Sequence, residues 1–98
     1  MNKKTVLITG GCGFIGANLC KYLLNLKQTK YNVICVDNLY SSDINNIVGI
    51  LSKNNFTFLN KNINNLTISD LPKGKIDEIY HLACHASPKI YQKDLYIL

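Results

Sequence analysis

Glycine recurs four times within Thr9-Gly10-Gly11-Cys12-Gly13-Phe14-Ile15-Gly16, and this run limits the possible folds more than any other feature. It follows Thr5-Val6-Leu7-Ile8-Thr9, a short β-branched apolar run of the kind buried on both faces of a parallel sheet. It precedes Phe14 to Leu26, where Phe14, Ile15, Leu19, Tyr22, Leu23 and Leu26 recur at helical spacing and predict one buried helix face. Two glycine registers coexist. Gly11, Gly13 and Gly16 make G-x-G-x-x-G, and Gly10, Gly13 and Gly16 make G-x-x-G-x-x-G. Between a strand and a helix, the first glycine permits a sharp turn, Gly13 lets the backbone approach a pyrophosphate, and Gly16 lets the helix pack closely on the sheet. The helix N-terminus then offers unbonded N–H groups and partial positive charge to phosphates.

The rest of the chain repeats the alternation. Val33-Ile34-Cys35-Val36 reads as a second buried strand closed by Asp37-Asn38. Ser41 or Ser42 is expected to cap a second helix with apolar positions Ile44, Ile47, Val48 and Leu51, ended by Asn54-Asn55. Phe56-Thr57-Phe58-Leu59 is a third strand. Residues 60–75 are polar, with a helical turn expected near Leu66–Leu71 and a break at Pro72 and Gly74. Ile79-Tyr80-His81-Leu82-Ala83 is a fourth strand, and Ser87-Pro88 marks a turn or a helix start. Strands alternating with helices predict an α/β fold: the N-terminal half of a doubly wound parallel sheet of the Rossmann type, strand order 3-2-1-4.

Asp37 adds a second chemical signal. It ends the second strand about 20 residues beyond the last glycine, where a carboxylate can accept both hydroxyls of an adenosine ribose. That carboxylate would repel a 2′-phosphate, and the chain has no arginine to receive one. NAD is therefore the expected cofactor, rather than NADP.

Charge and cysteine content exclude other classes. The net charge of +5 comes from scattered lysines, without the clustered lysine and arginine of a nucleic-acid surface. No apolar run approaches a membrane span, and the N-terminus lacks the pattern of a secretory signal. Cys12, Cys20, Cys35 and Cys84 show no Cys-x-x-Cys spacing, so reduced, mostly buried thiols in a cytoplasmic protein are expected. His81, Cys84 and His85 are close in sequence, but no further ligand spacing supports a metal site. Cys84 and Ser87 have no recognisable base to activate them as nucleophiles.

The motifs carry a family resemblance across almost the whole chain. Thr9 to Gly16 resembles the TGGxGFIG fingerprint of extended short-chain dehydrogenases/reductases, the NAD-dependent epimerase/dehydratase family. Val36-Asp37-Asn38 is similar to the VDN that ends their second strand. Asp77-Glu78-Ile79-Tyr80-His81-Leu82-Ala83-Cys84-His85-Ala86-Ser87-Pro88, continued by Tyr91-Gln92, is similar to a segment of UDP-glucuronate decarboxylases (UDP-xylose synthases). The resemblance implies that Gly10, Gly13, Phe14, Ile15 and Gly16 form the pyrophosphate site. It implies that Asp37 holds the adenosine ribose beside Asn38, and that Leu82, Ala83 and Cys84 pass beside the cofactor. Asn62 and Ile63 complete the implied cofactor contacts. Asn62 stands where the family has an Asp that receives the adenine amino group, and its amide oxygen can still accept. Ser87, Lys89, Tyr91 and Gln92 would lie near a nucleotide-sugar substrate. His85 replaces a family Pro, and Asp94-Leu95 replaces an Asn-Pro step.

The family's Tyr-x-x-x-Lys pair supplies the base, the lysine lowering the tyrosine's pKa while NAD takes the hydride. None of the six tyrosines is followed by lysine at that spacing. Residues 1–98 are thus expected to be a partial NAD-binding domain without the catalytic pair or the substrate domain, and inactive alone. Two function classes follow. One is part of a decarboxylase, or of a dTDP-glucose 4,6-dehydratase or sugar-nucleotide epimerase, that a second chain could complete. The other is a non-catalytic nucleotide-binding module that joins a partner or an intact homologue. A four-stranded half-sheet leaves the far side of its fourth strand open, so the isolated chain is expected to be marginal or aggregation-prone.

Overall fold

A computed structural model describes residues 3–40, 42–72 and 74–83. Cys84, His85, Ser87, Lys89, Tyr91 and Gln92 lie outside them. Four strands, β1 (Lys3–Thr9), β2 (Lys30–Asp37), β3 (Phe56–Asn60) and β4 (Glu78–His81), form one sheet. All its pairings are parallel and the order is β3-β2-β1-β4, as the alternation of elements predicts. Val6 pairs with Val33, Ile8 with Cys35 and Tyr80, and Thr9 with Val36 and His81.

The central strands are buried on both faces, which explains their unbroken apolar runs. Alternate residues divide between two layers. Val6, Ile8, Val33 and Cys35 pack with Cys12, Ala17, Cys20, Leu23, Ile47, Ile50 and Phe56. Leu7, Ile34 and Val36 face the other way, against Leu59, Leu66, Leu71 and Ile76. The first layer lies under α1 (Phe14–Leu24) and a 3-10 helix (Ile44–Ile50). The second is roofed by Leu66, Leu71 and Ile76 from the segment after β3, which holds two short 3-10 turns, Ile63–Asn65 and Ile68–Asp70. Of these turns, the second is the helical turn expected near Leu66–Leu71, and the first is additional. Thr67 and Asp70 cap the second turn reciprocally, and Lys61 Nζ meets Asp70 Oδ2 at 2.9 Å.

Two helical faces differ from expectation. The buried residues of α1 are Gly16, Ala17, Cys20 and Leu23, whereas Phe14, Ile15 and Tyr22 are exposed. Small side chains let α1 approach the sheet; of the expected face, Leu23 is buried and Leu19 and Leu26 pack against the core, while the other three positions fall on the open side. The second helix is a 3-10 helix, capped by Asp43 rather than by a serine; Asp43 Oδ1 accepts from the Asn45 N–H at 2.9 Å. At three residues per turn, Ile44, Ile47 and Ile50 share one face. Ile47 and Ile50 are accordingly buried, Ile44 is half-buried, and Val48 and Leu51 are exposed. Among the described residues, no helix is long and apolar enough to cross a membrane.

Candidate cofactor site

The carboxyl ends of β1, β2 and β4 converge on the turn between β1 and α1. Gly10 continues the β1–β2 ladder, donating its N–H to the Val36 carbonyl at 2.7 Å. It then turns the chain with φ +73, a left-handed conformation that favours glycine. A Cβ at Gly10 would lie 2.7 Å from the Ala83 nitrogen and 2.8 Å from the Leu82 carbonyl carbon. Both residues therefore sit against the turn, just past β4, which ends at His81 rather than at the expected Ala83. A Cβ at Gly11 would strike Cys35 Sγ, and one at Gly16 would strike the Gly10 carbonyl oxygen. Gly16 thus fits the helix against the turn itself, not only against the sheet. Gly13 is different. Its φ is −70, and among the described residues a Cβ there would meet only the Gly10 oxygen at 3.4 Å, an ordinary contact. The described residues do not require a bare Gly13, so the side it leaves open among them can admit a ligand.

Gly13 caps α1 without a side-chain bond, and the first turn carries no acid. The Gly13 N–H donates to Gly10 O at 3.1 Å. The N–H groups of Phe14, Ile15 and Gly16 have no intrahelical acceptor by position. The Phe14 and Ile15 side chains are 80% and 70% exposed. These amides, with the positive end of the helix dipole, could receive an anion.

Asp37 adjoins this turn and is buried. Its Oδ2 accepts from the Cys12 N–H at 2.9 Å, and its Oδ1 from the Leu39 N–H and Ser42 Oγ, each at 2.8 Å. The carboxylate therefore ties the glycine turn to the loop after β2, a role not anticipated from its spacing. A carboxylate offers about four lone-pair sites, so capacity remains for a hydroxyl donor. Leu39 takes a left-handed φ of 61 to make this closure. Asn38 is exposed, and its Oδ1 accepts from the Tyr40 N–H at 3.0 Å. Asn62 and Ile63 are half-buried just past β3. Asn62 Oδ1 already accepts from the Asn64 N–H at 2.9 Å.

Three described cysteines are free and buried beneath the turn. Burial, and next the Asp37 charge, push Cys12 up to about 11. A hydrogen bond with the Cys20 thiol, and burial, push Cys35 up further. Thiols held protonated in this way are packing groups, not nucleophiles. His81 Nδ1 lies 2.6 Å from Thr9 Oγ1, which also accepts from the Ala83 N–H at 3.3 Å, so Thr9 and His81 fix the end of β4 against β1. Sequence reasoning missed Ser42 as a partner of Asp37, and it missed Asn46, whose Nδ2 donates to the Cys12 carbonyl at 2.7 Å. No local pattern marks a contact 34 residues apart. Among the described residues, no group of three potential ligands could hold a metal.

An anion site at a helix N-terminus, with a carboxylate beside it that can accept hydroxyls, suits a dinucleotide's pyrophosphate and ribose. The chain is 42% identical over 83 residues to a dTDP-D-glucose 4,6-dehydratase of Dictyostelium discoideum, covering 82% of this chain and 19% of that protein. It is 34% identical over 87 residues to UDP-glucuronic acid decarboxylase 2 of Arabidopsis thaliana, covering 89% of this chain and 18% of that protein. The structure of a UDP-glucuronic acid 4-epimerase from Bacillus cereus in complex with NAD superposes with a TM-score of 0.70 at 32% identity. That match covers 90% of this chain and 29% of the epimerase. The chain thus spans less than a third of these relatives, and the region matched is their N-terminal, NAD-binding part. The model of the GDP-mannose 4,6 dehydratase family matches residues 7–91, and the chain belongs to that family of NAD-dependent epimerases and dehydratases.

Proposed function

We propose that this chain forms the NAD-binding N-terminal part of a nucleotide-sugar-modifying enzyme, most like a UDP-glucuronate decarboxylase. One observation carries the reading: the open side of Gly13 stands at an acid-free helix N-terminus next to the buried Asp37. Gly10, Gly13, Phe14, Ile15 and Gly16 would hold the pyrophosphate. Asp37, with Asn38 beside it, would accept from the adenosine ribose, and Asn62 and Ile63 would border the adenine. Leu82, Ala83 and Cys84 would flank the cofactor, while Ser87, Lys89, Tyr91 and Gln92 would approach the sugar nucleotide. Bound NAD supplies hydride transfer. The described residues bind and orient it. Proton transfer needs a Tyr-x-x-x-Lys pair, which must come from sequence beyond these residues or from a second chain. Reduced, buried thiols support a cytoplasmic setting.

A second reading, a dTDP-glucose 4,6-dehydratase, is favoured by the higher identity to the Dictyostelium protein. Both readings share the cofactor site, so one experiment tests it. NAD is titrated calorimetrically into the full chain and into Gly13→Ala. The added methyl makes only an ordinary contact with the Gly10 oxygen, so the variant should unfold at nearly the wild-type temperature, yet bind NAD at least about tenfold more weakly because the methyl occupies the ligand's side. A folded wild-type chain that takes up no NAD would refute the proposal.

A further inference from the structure

The peptide unit joining Cys12 to Gly13 is held at both ends. Its N–H, on Gly13, donates to the Gly10 carbonyl at 3.1 Å. Its carbonyl, on Cys12, accepts from Asn46 Nδ2 at 2.7 Å. Asn46 is itself fixed within the 3-10 helix, where its backbone N–H donates to the Asp43 carbonyl at 3.0 Å. The preceding N–H, on Cys12, is taken by Asp37. The Cys12–Gly13 unit leads directly into α1 and so sets where the Phe14 and Ile15 amides point. Peptide planes in glycine-rich turns can rotate. A rotated plane reverses its dipole toward a nearby anion. Without Asn46, the carbonyl of the buried Cys12 loses its side-chain donor and the barrier to such rotation falls.

We infer that Asn46 is a positioning residue of the phosphate-binding turn. Its side-chain amide locks the Cys12–Gly13 peptide, and thereby holds the N-terminal amides of α1 in register with a ligand's diphosphate. This rests on the cofactor reading above and extends it to a side chain on another element, one that touches no ligand atom.

The test compares the full chain with Asn46→Ala, with Asn46→Asp, which keeps the size but cannot donate, and with Asn45→Ala as a neighbour control on the same 3-10 helix. Calorimetry with NAD and with ADP-ribose should show both Asn46 variants weakened by about tenfold and the control unchanged. Hydrogen exchange without ligand should show the Gly13 amide exchanging about tenfold faster in both Asn46 variants, while amides of β1 and β2 keep wild-type rates. A purely structural role would not single out Gly13. Wild-type affinity in either Asn46 variant, or unchanged Gly13 exchange, would overturn the inference. So would failure of both variants to fold, which would make Asn46 a structural residue. If the wild-type chain binds neither ligand, the cofactor reading falls alone. Faster Gly13 exchange would then still support the hold of Asn46 on the turn, and unchanged exchange would overturn it.

Discussion

At the scale of single residues, the bonds Asp37 makes within the fold and the proposed ribose contact would compete for the same oxygens. Three protein donors occupy the carboxylate, while a ribose diol needs two acceptor sites of the roughly four available. The Cys12 and Leu39 donors are backbone groups and stay. Ser42 is the donor that can leave. Ser42→Ala should therefore tighten NAD binding, by about threefold on the scale of a net hydrogen bond. A loss of affinity instead would show that the serine orients the carboxylate rather than competing for it. The Cys12 thiol makes a separate prediction about pH. Its folded pKa, about 11, stands above the ordinary 9.0. Folding thus favours the protonated form. The associated stability is full below about pH 9 and is lost as pH rises toward 11, by about 1 kcal/mol at pH 10. The urea midpoint should fall across that window and fall less in Cys12→Ala, a comparison that removes the shared titration of lysines and tyrosines. Equal pH dependence in the two proteins would rule out the assignment.

At the scale of elements, the 3-10 helix decides which apolar residues matter. Ile47 is fully buried and Ile50 nearly so, whereas Val48 is 61% exposed. Ile50→Ala should cost about 2–4 kcal/mol in chemical denaturation, and Val48→Ala less than about 0.5 kcal/mol. An α-helical face would give Val48 a much larger cost, so the ratio separates the two geometries. The same segment explains what sequence could and could not reveal. The strands were legible because β1 and β2 are buried on both faces and their apolar runs carry no competing period. The positions of the glycine turn and of Asp37 were legible because both recur at fixed spacing in a strand–turn–helix–strand unit, whereas the bonds Asp37 makes within the fold were not. The buried face of α1 was legible only in part, through Leu19, Leu23 and Leu26, since Gly16, Ala17 and Cys20 pack by being small, and the spacing of large residues cannot report that. The second helix was misread because its period is three, and seven residues are too few to separate three from 3.6. Asn46 and Ser42 escaped because their contacts depend on how separate elements come together.

At the scale of the whole molecule, the sheet is covered unequally. One face lies under α1 and the 3-10 helix, and the other under a thin roof of turns that reaches Leu7, Ile34 and Val36. β4 is four residues long and, among the described residues, pairs only with β1. Ile79 pairs with Leu7 and is 39% exposed. An edge strand with free hydrogen-bonding groups and an apolar side chain favours pairing with another chain. The full chain should therefore associate as its concentration rises, and charge on that edge should oppose it. Ile79→Lys buries no new group and places an ammonium on the open edge, close in sequence to Glu78. Sedimentation should show the variant remaining monomeric where the wild type associates, with its unfolding temperature little changed because Ile79 contributes only part of its surface to the core. A variant that associates as strongly as the wild type would place the contact elsewhere. A variant that loses more than about 2 kcal/mol of stability would mean that Ile79 is covered in solution by other residues of the same chain, and that β4 is not an open edge.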